Sequence, residues 1–222
     1  MAFTWRTSKT GVGSVSVTIV EPTSAALGDF EFALFAMGAA TDTLATPAGW
    51  TQLFASGAGT NTRYYVFSVT GGRGASAPGL VFTVTGSGTL EWHCLGVAGS
   101  NLVIDASAAQ AITTGTTPDP PSATATQGGD EAIAIGFNFA GATWTKPSGY
   151  DLIRSINTGG LDCVAASKDL TAAGAENPGT FTGPGSSNDI YAVTILLQAP
   201  GGVAPHVTRP FPWKPGSYSQ GR

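Results

Sequence analysis

The sequence repeats itself once, and this internal repeat constrains the fold more than any other feature of the chain. A Gly-Asp pair precedes an apolar run over residues 30–37, and a second Gly-Asp pair precedes a similar run over 132–139. A Pro-x-Gly-aromatic element then ends in Trp50 in the first series and in Tyr150 in the second. The Gly-Asp, Pro-x-Gly, Pro-Gly and closing-strand anchors keep offsets of 99 to 101 residues. Several anchors in one order at a near-constant offset predict two similar halves that arose by duplication.

The periodicity within each half is that of β-strands. Val15, Val17 and Ile19 alternate with polar residues, as strands with one buried face do. The two dense apolar runs are typical of central strands covered on both faces. Charged residues make up only 11% of the chain and Gly accounts for 31 positions, a composition that favours short strands and turns over amphipathic helices. About four or five strands per half predict an all-β, jelly-roll-like sandwich of two packed sheets.

The Pro-x-Gly-aromatic element predicts a turn followed by a core residue. Proline presets its own φ, and glycine can take the positive φ that such turns require. We therefore expect Trp50 and Tyr150 to fill the core, and assign neither a ligand.

The repeat and the flanking composition divide the chain into four segments. They are an N-terminal arm over residues 1–13, a first β half over 14–106, a second β half over 107–200 and a Pro-rich extended C-terminal arm over 201–222. The halves either share one sandwich or form tandem domains. The Thr- and Pro-rich stretch 107–127 is either a linker or, as we prefer, a crossover containing the second half's first strand near Ile112.

The sequence contains no nucleophile, phosphate-binding or dinucleotide motif. Glu91 and His93 share one strand face, which we expect to be exposed or half-buried, and no third metal ligand is visible nearby. Cys94 and Cys163 read as buried thiols, although a disulfide between them stays open. Spacing alone does not exclude a glycosidase carboxylate pair. We predict no catalytic, cofactor-binding or metal-binding residue, and hence no enzyme and no cofactor.

The charge distribution argues against nucleic acid as a partner. Five of the ten basic residues and all fourteen acidic ones lie in residues 11–200, which gives that region a formal charge of −9. Phosphate would repel such a surface. Neither a signal-peptide pattern nor a run of about 18 apolar residues occurs, which predicts cytoplasmic synthesis and no membrane partner.

The two ends carry the features of a partner-binding arm. Four prolines in residues 203–222 favour an extended, polyproline-like conformation, and the aromatic residues between them need a surface on which to be buried. The N-terminus has a weaker version of the same character. The predicted partner-binding residues are Phe3, Trp5, Arg6, Arg209, Pro210, Phe211, Pro212, Trp213, Lys214 and Tyr218.

The order of these motifs resembles a known class of module. Gly-Asp, an apolar strand, Pro-x-Gly-Trp/Tyr-x-x-Leu/Ile, a Tyr-Tyr-Val-Phe strand, Pro-Gly with Phe-Thr and a closing strand follow one another across residues 14–199. This order resembles the β-sandwich modules of tailed-phage virion structural proteins. The resemblance implies a role in the virion or at a cell surface and names no catalytic residue.

Within the virion we favour a capsid decoration or cement protein on the capsid surface. Its partners would be the major capsid protein or other virion proteins. Capsid geometry suggests a homo-oligomer, for which we expect a trimer. Tail placement is the structural alternative, and a fibre-associated carbohydrate-binding or host-attachment module is the alternative from another functional class.

Overall fold

The computed structural model describes residues 3–14, 16–71, 80–86, 88–99, 102–139, 143–158, 161–183 and 188–198. These residues form strands and turns without any helix, so the predicted all-β class is confirmed. Nor does this part of the chain contain a helix with the length and apolar character needed to cross a membrane. The residues 201–222, and with them the predicted C-terminal arm residues Arg209 to Tyr218, lie outside the described residues.

The described residues form seventeen strands. In the first half they are β1 (Thr4–Trp5), β2 (Lys9–Gly13), β3 (Ser16–Ile19), β4 (Gly28–Met37), β5 (Thr43–Leu44), β6 (Thr51–Ala55), β7 (Arg63–Gly71), β8 (Leu80–Thr85) and β9 (Leu90–Ala98). In the second half they are β10 (Val103–Ala109), β11 (Thr113–Gly115), β12 (Ala123–Ala125), β13 (Glu131–Asn138), β14 (Asp151–Thr158), β15 (Leu161–Asp169), β16 (Gly174–Glu176) and β17 (Asn188–Gln198).

Each half has one large antiparallel sheet and one small one. The large sheets run in the orders β1-β9-β4-β7-β6 and β10-β17-β13-β15-β14. The additional strands β2 and β11 pair with β9 and β17, respectively. The small sheets are β3-β8-β5 and β12-β16. The two large sheets thus have equivalent strand orders, whereas the duplication itself and the jelly-roll connectivity stay predictions.

The four sheets are layered around three apolar clusters. The middle cluster combines Phe32 and Leu34 of β4 with Ile133 and Ile135 of β13, so the two large sheets pack face to face. The second cluster lies between the first large sheet and its small sheet, and the third occupies the matching place in the second half. The sequence left open one shared sandwich or two tandem domains, and the described residues form four layers, two from each half. The dense apolar runs are covered on both faces, as predicted, because β4 and β13 lie in inner layers.

Both Pro-x-Gly-aromatic elements form the predicted turn and core plug. Gly49 has a φ of 86° and Gly149 a φ of 80°, a region that glycine adopts without strain. The amide of Trp50 donates to the carbonyl of Pro47 across the turn, and the second element repeats this bond. Trp50 and Tyr150 are 6% and 1% exposed in the second and third clusters, which confirms their assignment to the core.

The boundary predicted between the halves falls inside a strand. The strand β10 spans the predicted boundary at residue 107 and pairs along its length with β17, so the second sheet starts at Val103. The strand beside Ile112 is β11, which follows β10 and pairs with β17 in the way that β2 pairs with β9. β12 occupies the place of β3, since each belongs to its half's small sheet. Short Thr- and Ala-rich strands carry too little pattern to distinguish the two positions.

The N-terminal segment, predicted as a partner-binding arm, packs against its own chain. Residues 4–5 and 9–13 pair with β9 as β1 and β2, and extend the first large sheet. They satisfy main-chain groups of β9 that would otherwise lie at an open edge. Phe3, Trp5 and Arg6 therefore lie against the body of their own chain.

Candidate binding cleft between the two halves

The three N-terminal residues predicted to bind a partner contribute to a cleft between the halves. Phe3 and Trp5 are half-buried against the middle cluster. The indole Nε1 of Trp5 donates a 3.1 Å hydrogen bond to the Glu131 carboxylate at the start of β13. The cleft has a volume of about 750 Å³ and is bounded by the N-terminal segment and the adjoining strands β14 and β15. Among its lining residues are Phe3, Trp5, Glu131, Leu152, Lys168 and Asp169.

Arg6 is held by an ion pair on its own half. Its Nε donates a 2.8 Å hydrogen bond to Asp29 Oδ2, and its Nη2 donates a 3.2 Å hydrogen bond to Asp29 Oδ1. Burial alone would raise the pKa of Asp29, but hydrogen bonds from Arg6 and from the Ala26 amide together lower it. Asp29 belongs to the first Gly-Asp anchor, so this anchor fixes the start of the chain.

A pair of carboxyl groups forms one wall of the cleft. Glu131 and Asp169 face each other across β13 and β15, and burial together with hydrogen bonding to Asp169 raises the pKa of Glu131 to about 7. The raised pKa leaves Glu131 partly protonated at neutral pH, while its Oε1 accepts the bond from Trp5.

Two of the cations in the cleft have anionic partners outside it. Lys168 Nζ contacts the two carboxylate oxygens of Glu176 at 2.9 and 3.0 Å, while Arg6 is held by Asp29. Arg154 is the remaining cation of the lining, and Asp151 and Asp169 supply carboxylates near it. Sequence reasoning missed this constellation because its members meet only through the register of β13, β14 and β15.

Glu91 and His93 on β9 are more deeply buried than the sequence predicted. Glu91 and His93 share a face, as predicted, since Leu95 and Val97 continue that face into the middle cluster. They are not exposed or half-buried, however, but 4% and 1% exposed. Alternation identifies the face of a strand, but not the second large sheet that covers it.

Burial has opposite effects on these two groups. Burial, and then the negative charge of Asp162, raise the pKa of Glu91 to about 8. Burial, and then the positive charge of Arg154, lower the pKa of His93 to about 3. Both groups are therefore neutral at pH 7, and neither ring nitrogen of His93 has a hydrogen-bond partner among the described residues.

We expect Glu91→Gln to reduce the pH dependence of stability. The folded protein keeps the Glu91 proton up to about pH 8, whereas the unfolded chain loses it near the ordinary glutamate pKa of 4.5, so stability falls as pH rises between these values. The variant should match the parent near pH 5 and exceed its free energy of unfolding by about 1–3 kcal/mol near pH 8.5. Urea unfolding at both pH values tests this, with the exposed Asp119→Asn as control. Equal pH profiles for Glu91→Gln and its parent would contradict the assignment.

The cysteines and the potential metal ligands form no further site within the described residues. Cys94 lies in the second cluster and Cys163 in the middle one, and both are free thiols whose pKa is raised by burial. No group of three or more His, Cys, Asp or Glu in the described ranges could hold a metal ion.

No protein-family model, curated protein or solved structure matches this chain significantly.

Proposed function

We propose that this protein is a non-enzymatic structural protein of a tailed-phage virion, of the capsid decoration or cement type. In this proposal the compact body sits on the assembled shell and the C-terminal arm grips the neighbouring subunits. The partners are the major capsid protein or other virion proteins, together with sister copies in a trimer at a symmetric position of the shell. Because it binds only the assembled lattice, the protein would stabilise the shell by mass action.

The strongest support for the proposal is that nearly all Trp and Tyr side chains of the described body are buried in its core. The chain has five Trp and five Tyr, and in the described residues all of them except Trp5 are buried. These buried side chains are Trp50, Trp92, Trp144, Tyr64, Tyr65, Tyr150 and Tyr191. The others, Trp213 and Tyr218, lie with Phe211 in the Pro-rich segment 203–222.

This distribution favours adhesion through the C-terminal arm. Trp and Tyr are the residues that most often dominate protein interfaces, and three of the chain's aromatic side chains lie within eight residues of one another in the arm. Prolines restrict the arm before it binds, which reduces the entropy lost on docking. Arg209 and Lys214 complement the acidic body of a neighbouring copy or another acidic surface.

The same distribution argues against the carbohydrate-binding alternative. A glycan-binding module needs Trp or Tyr rings on a loop or an open sheet face. In the described residues only Trp5 is left partly open, and its indole nitrogen is bonded to Glu131. Binding of the purified protein on a glycan array, with no affinity for shells, would favour the alternative.

Deletion of residues 203–222 tests the proposal. The full chain and the shortened chain are titrated against shells that lack the protein, and bound copies are counted by sedimentation. We expect the deletion to weaken binding at least about tenfold, because it removes three aromatic anchors. A variant with Phe211, Trp213 and Tyr218 replaced by Ala should reproduce the loss, whereas Ser217→Ala and Ser219→Ala should not. Equal coating of the shells by the full and shortened chains would overturn the proposal.

A further inference from the structure

The cleft beside Trp5 has the lining of a site for a proline-rich segment. Phe3 and Trp5 provide aromatic surface on one wall, and Ile153 adds apolar surface on the other. Leu152, beside Ile153, is 47% exposed, a large value for a strand leucine. Proline-rich segments dock in aromatic-lined grooves of this kind, since their preformed extended shape limits the entropy lost on binding.

The charges of the cleft fit a cationic occupant. Arg6 and Lys168 are neutralised by Asp29 and Glu176, and Arg154 is the lining cation that has no such ion pair within the described ranges. Glu131 and Asp169 contribute neighbouring carboxyl groups to the lining, and the Asp151 side chain is fully exposed with Lys146 3.4 Å away. Residues 209–214 read Arg-Pro-Phe-Pro-Trp-Lys, with a cation at each end of the aromatic and proline residues.

The described chain ends close to this cleft. Leu197 pairs with Glu131, the cleft residue at the start of β13, and the described part of β17 ends at the next residue, Gln198. β15 and β14 follow β13 in the sheet, so the end of β17 lies about 15 Å from β14 at a strand spacing of about 4.8 Å. Eleven residues in an extended proline-rich conformation span about 34 Å, more than enough to bring Arg209 to the cleft.

We propose that the cleft between β1 and the strands β14 and β15 binds the segment 209–214 of its own chain when the protein is free. Phe211 and Trp213 pack against the aromatic and apolar lining, and Arg209 and Lys214 face the carboxylates. The short connection gives the segment a local concentration of about millimolar, which a second copy in dilute solution does not reach. The inference concerns the free protein, and the proposed role on the shell is independent of it.

The first experiment measures the affinity of the cleft for the proposed segment directly. A chain ending at residue 200 keeps all three apolar clusters, whose last member is Leu197, so it retains the complete core. This shortened chain is titrated calorimetrically with a synthetic peptide of residues 203–222. We expect one peptide per chain, with binding lost when Trp213 in the peptide is replaced by Ala.

A matched pair of variants locates the binding site. Leu152→Lys places a cation in the cleft and should weaken peptide binding at least about tenfold, by lost apolar contact and by repulsion of Arg209 and Lys214. Val81→Lys is the control, because Val81 is a 51% exposed strand residue on the small outer sheet. No binding by the shortened chain, or equal loss in both variants, would overturn the proposal.

A second experiment identifies the occupant. The full chain should bind the added peptide at least about tenfold more weakly than the shortened chain, because its own segment competes for the cleft. It should also sediment at the same mass as its Leu152→Lys variant at every concentration. An oligomer that forms with rising concentration and disappears in Leu152→Lys would instead place the segment of a second copy in the cleft, and would refute docking within one chain. A negative result in these peptide-binding experiments does not change the result expected in the shell-binding assay. The two proposals can therefore be refuted independently.

Discussion

Replacing Phe137 by Ala should lower the free energy of unfolding of the whole protein by about 3–5 kcal/mol. Phe137 is fully buried in the middle cluster and contacts aromatic rings from both halves. Its ring centroid lies 5.0 Å from that of Tyr64 in the first large sheet and 6.0 Å from that of Tyr191 in its own sheet. The two tyrosine rings are also stacked on each other at 6.1 Å. Loss of the central ring leaves a cavity that both large sheets border.

The position of Phe137 between the sheets also determines how unfolding should proceed. Because the middle cluster belongs to both halves, we expect the variant and its parent to unfold in one transition. Urea unfolding followed by Trp fluorescence and by far-ultraviolet circular dichroism measures both the loss and the coincidence of the two probes. Leu27→Ala serves as control, since Leu27 is 84% exposed and its removal should cost less than about 0.5 kcal/mol. Two separate transitions in the parent, or a loss below about 1.5 kcal/mol in the variant, would contradict the shared core.

Features set by neighbouring residues could be predicted from the sequence. The turn before Trp50 needs a proline and a glycine at fixed positions, so its geometry and the burial of the ring follow from local rules. The apolar run over residues 30–37 predicts β4 and its cover on both faces for a similar reason. The equivalent strand orders of the two large sheets agree with the two similar halves that the repeat indicated.

Features set by pairing between distant strands could not be predicted in the same way. The alternation in β9 placed Glu91 and His93 on one face, but their burial depends on the packing of a sheet that starts at Val103. The cleft depends on Glu131 facing Asp169, which a shift of one residue between β13 and β15 would abolish. β1 has only two residues, too few to show any periodicity, so the N-terminal segment had no strand pattern of its own.

We expect the second large loss of stability from substitution of Asp189, because this residue of β17 forms hydrogen bonds with a loop of the first half. Its Oδ2 accepts hydrogen bonds from the Asn61 amide at 2.8 Å and from the Thr62 amide and hydroxyl at 3.1 and 3.0 Å. The Tyr64 hydroxyl donates to the Asp189 main-chain carbonyl at 2.8 Å. Burial would raise the pKa of Asp189, but the hydrogen bonds from residues 60–62 lower it, so the group is ionised at neutral pH.

We therefore expect Asp189→Ala to cost about 2–4 kcal/mol at pH 7, because the buried amide and hydroxyl of Thr62 and the Asn61 amide lose their acceptor. A carboxyl with a lowered pKa stabilises the fold above its unfolded pKa and loses this effect as pH falls through its folded pKa. The difference between variant and parent should accordingly shrink on acidification. Urea unfolding at pH 7 and near pH 3 measures the difference, with Asp151→Ala as control, since the Asp151 carboxylate is exposed. An Asp189→Ala loss no larger than the control's, or a loss that grows in acid, would show that the carboxylate does not hold the two halves together.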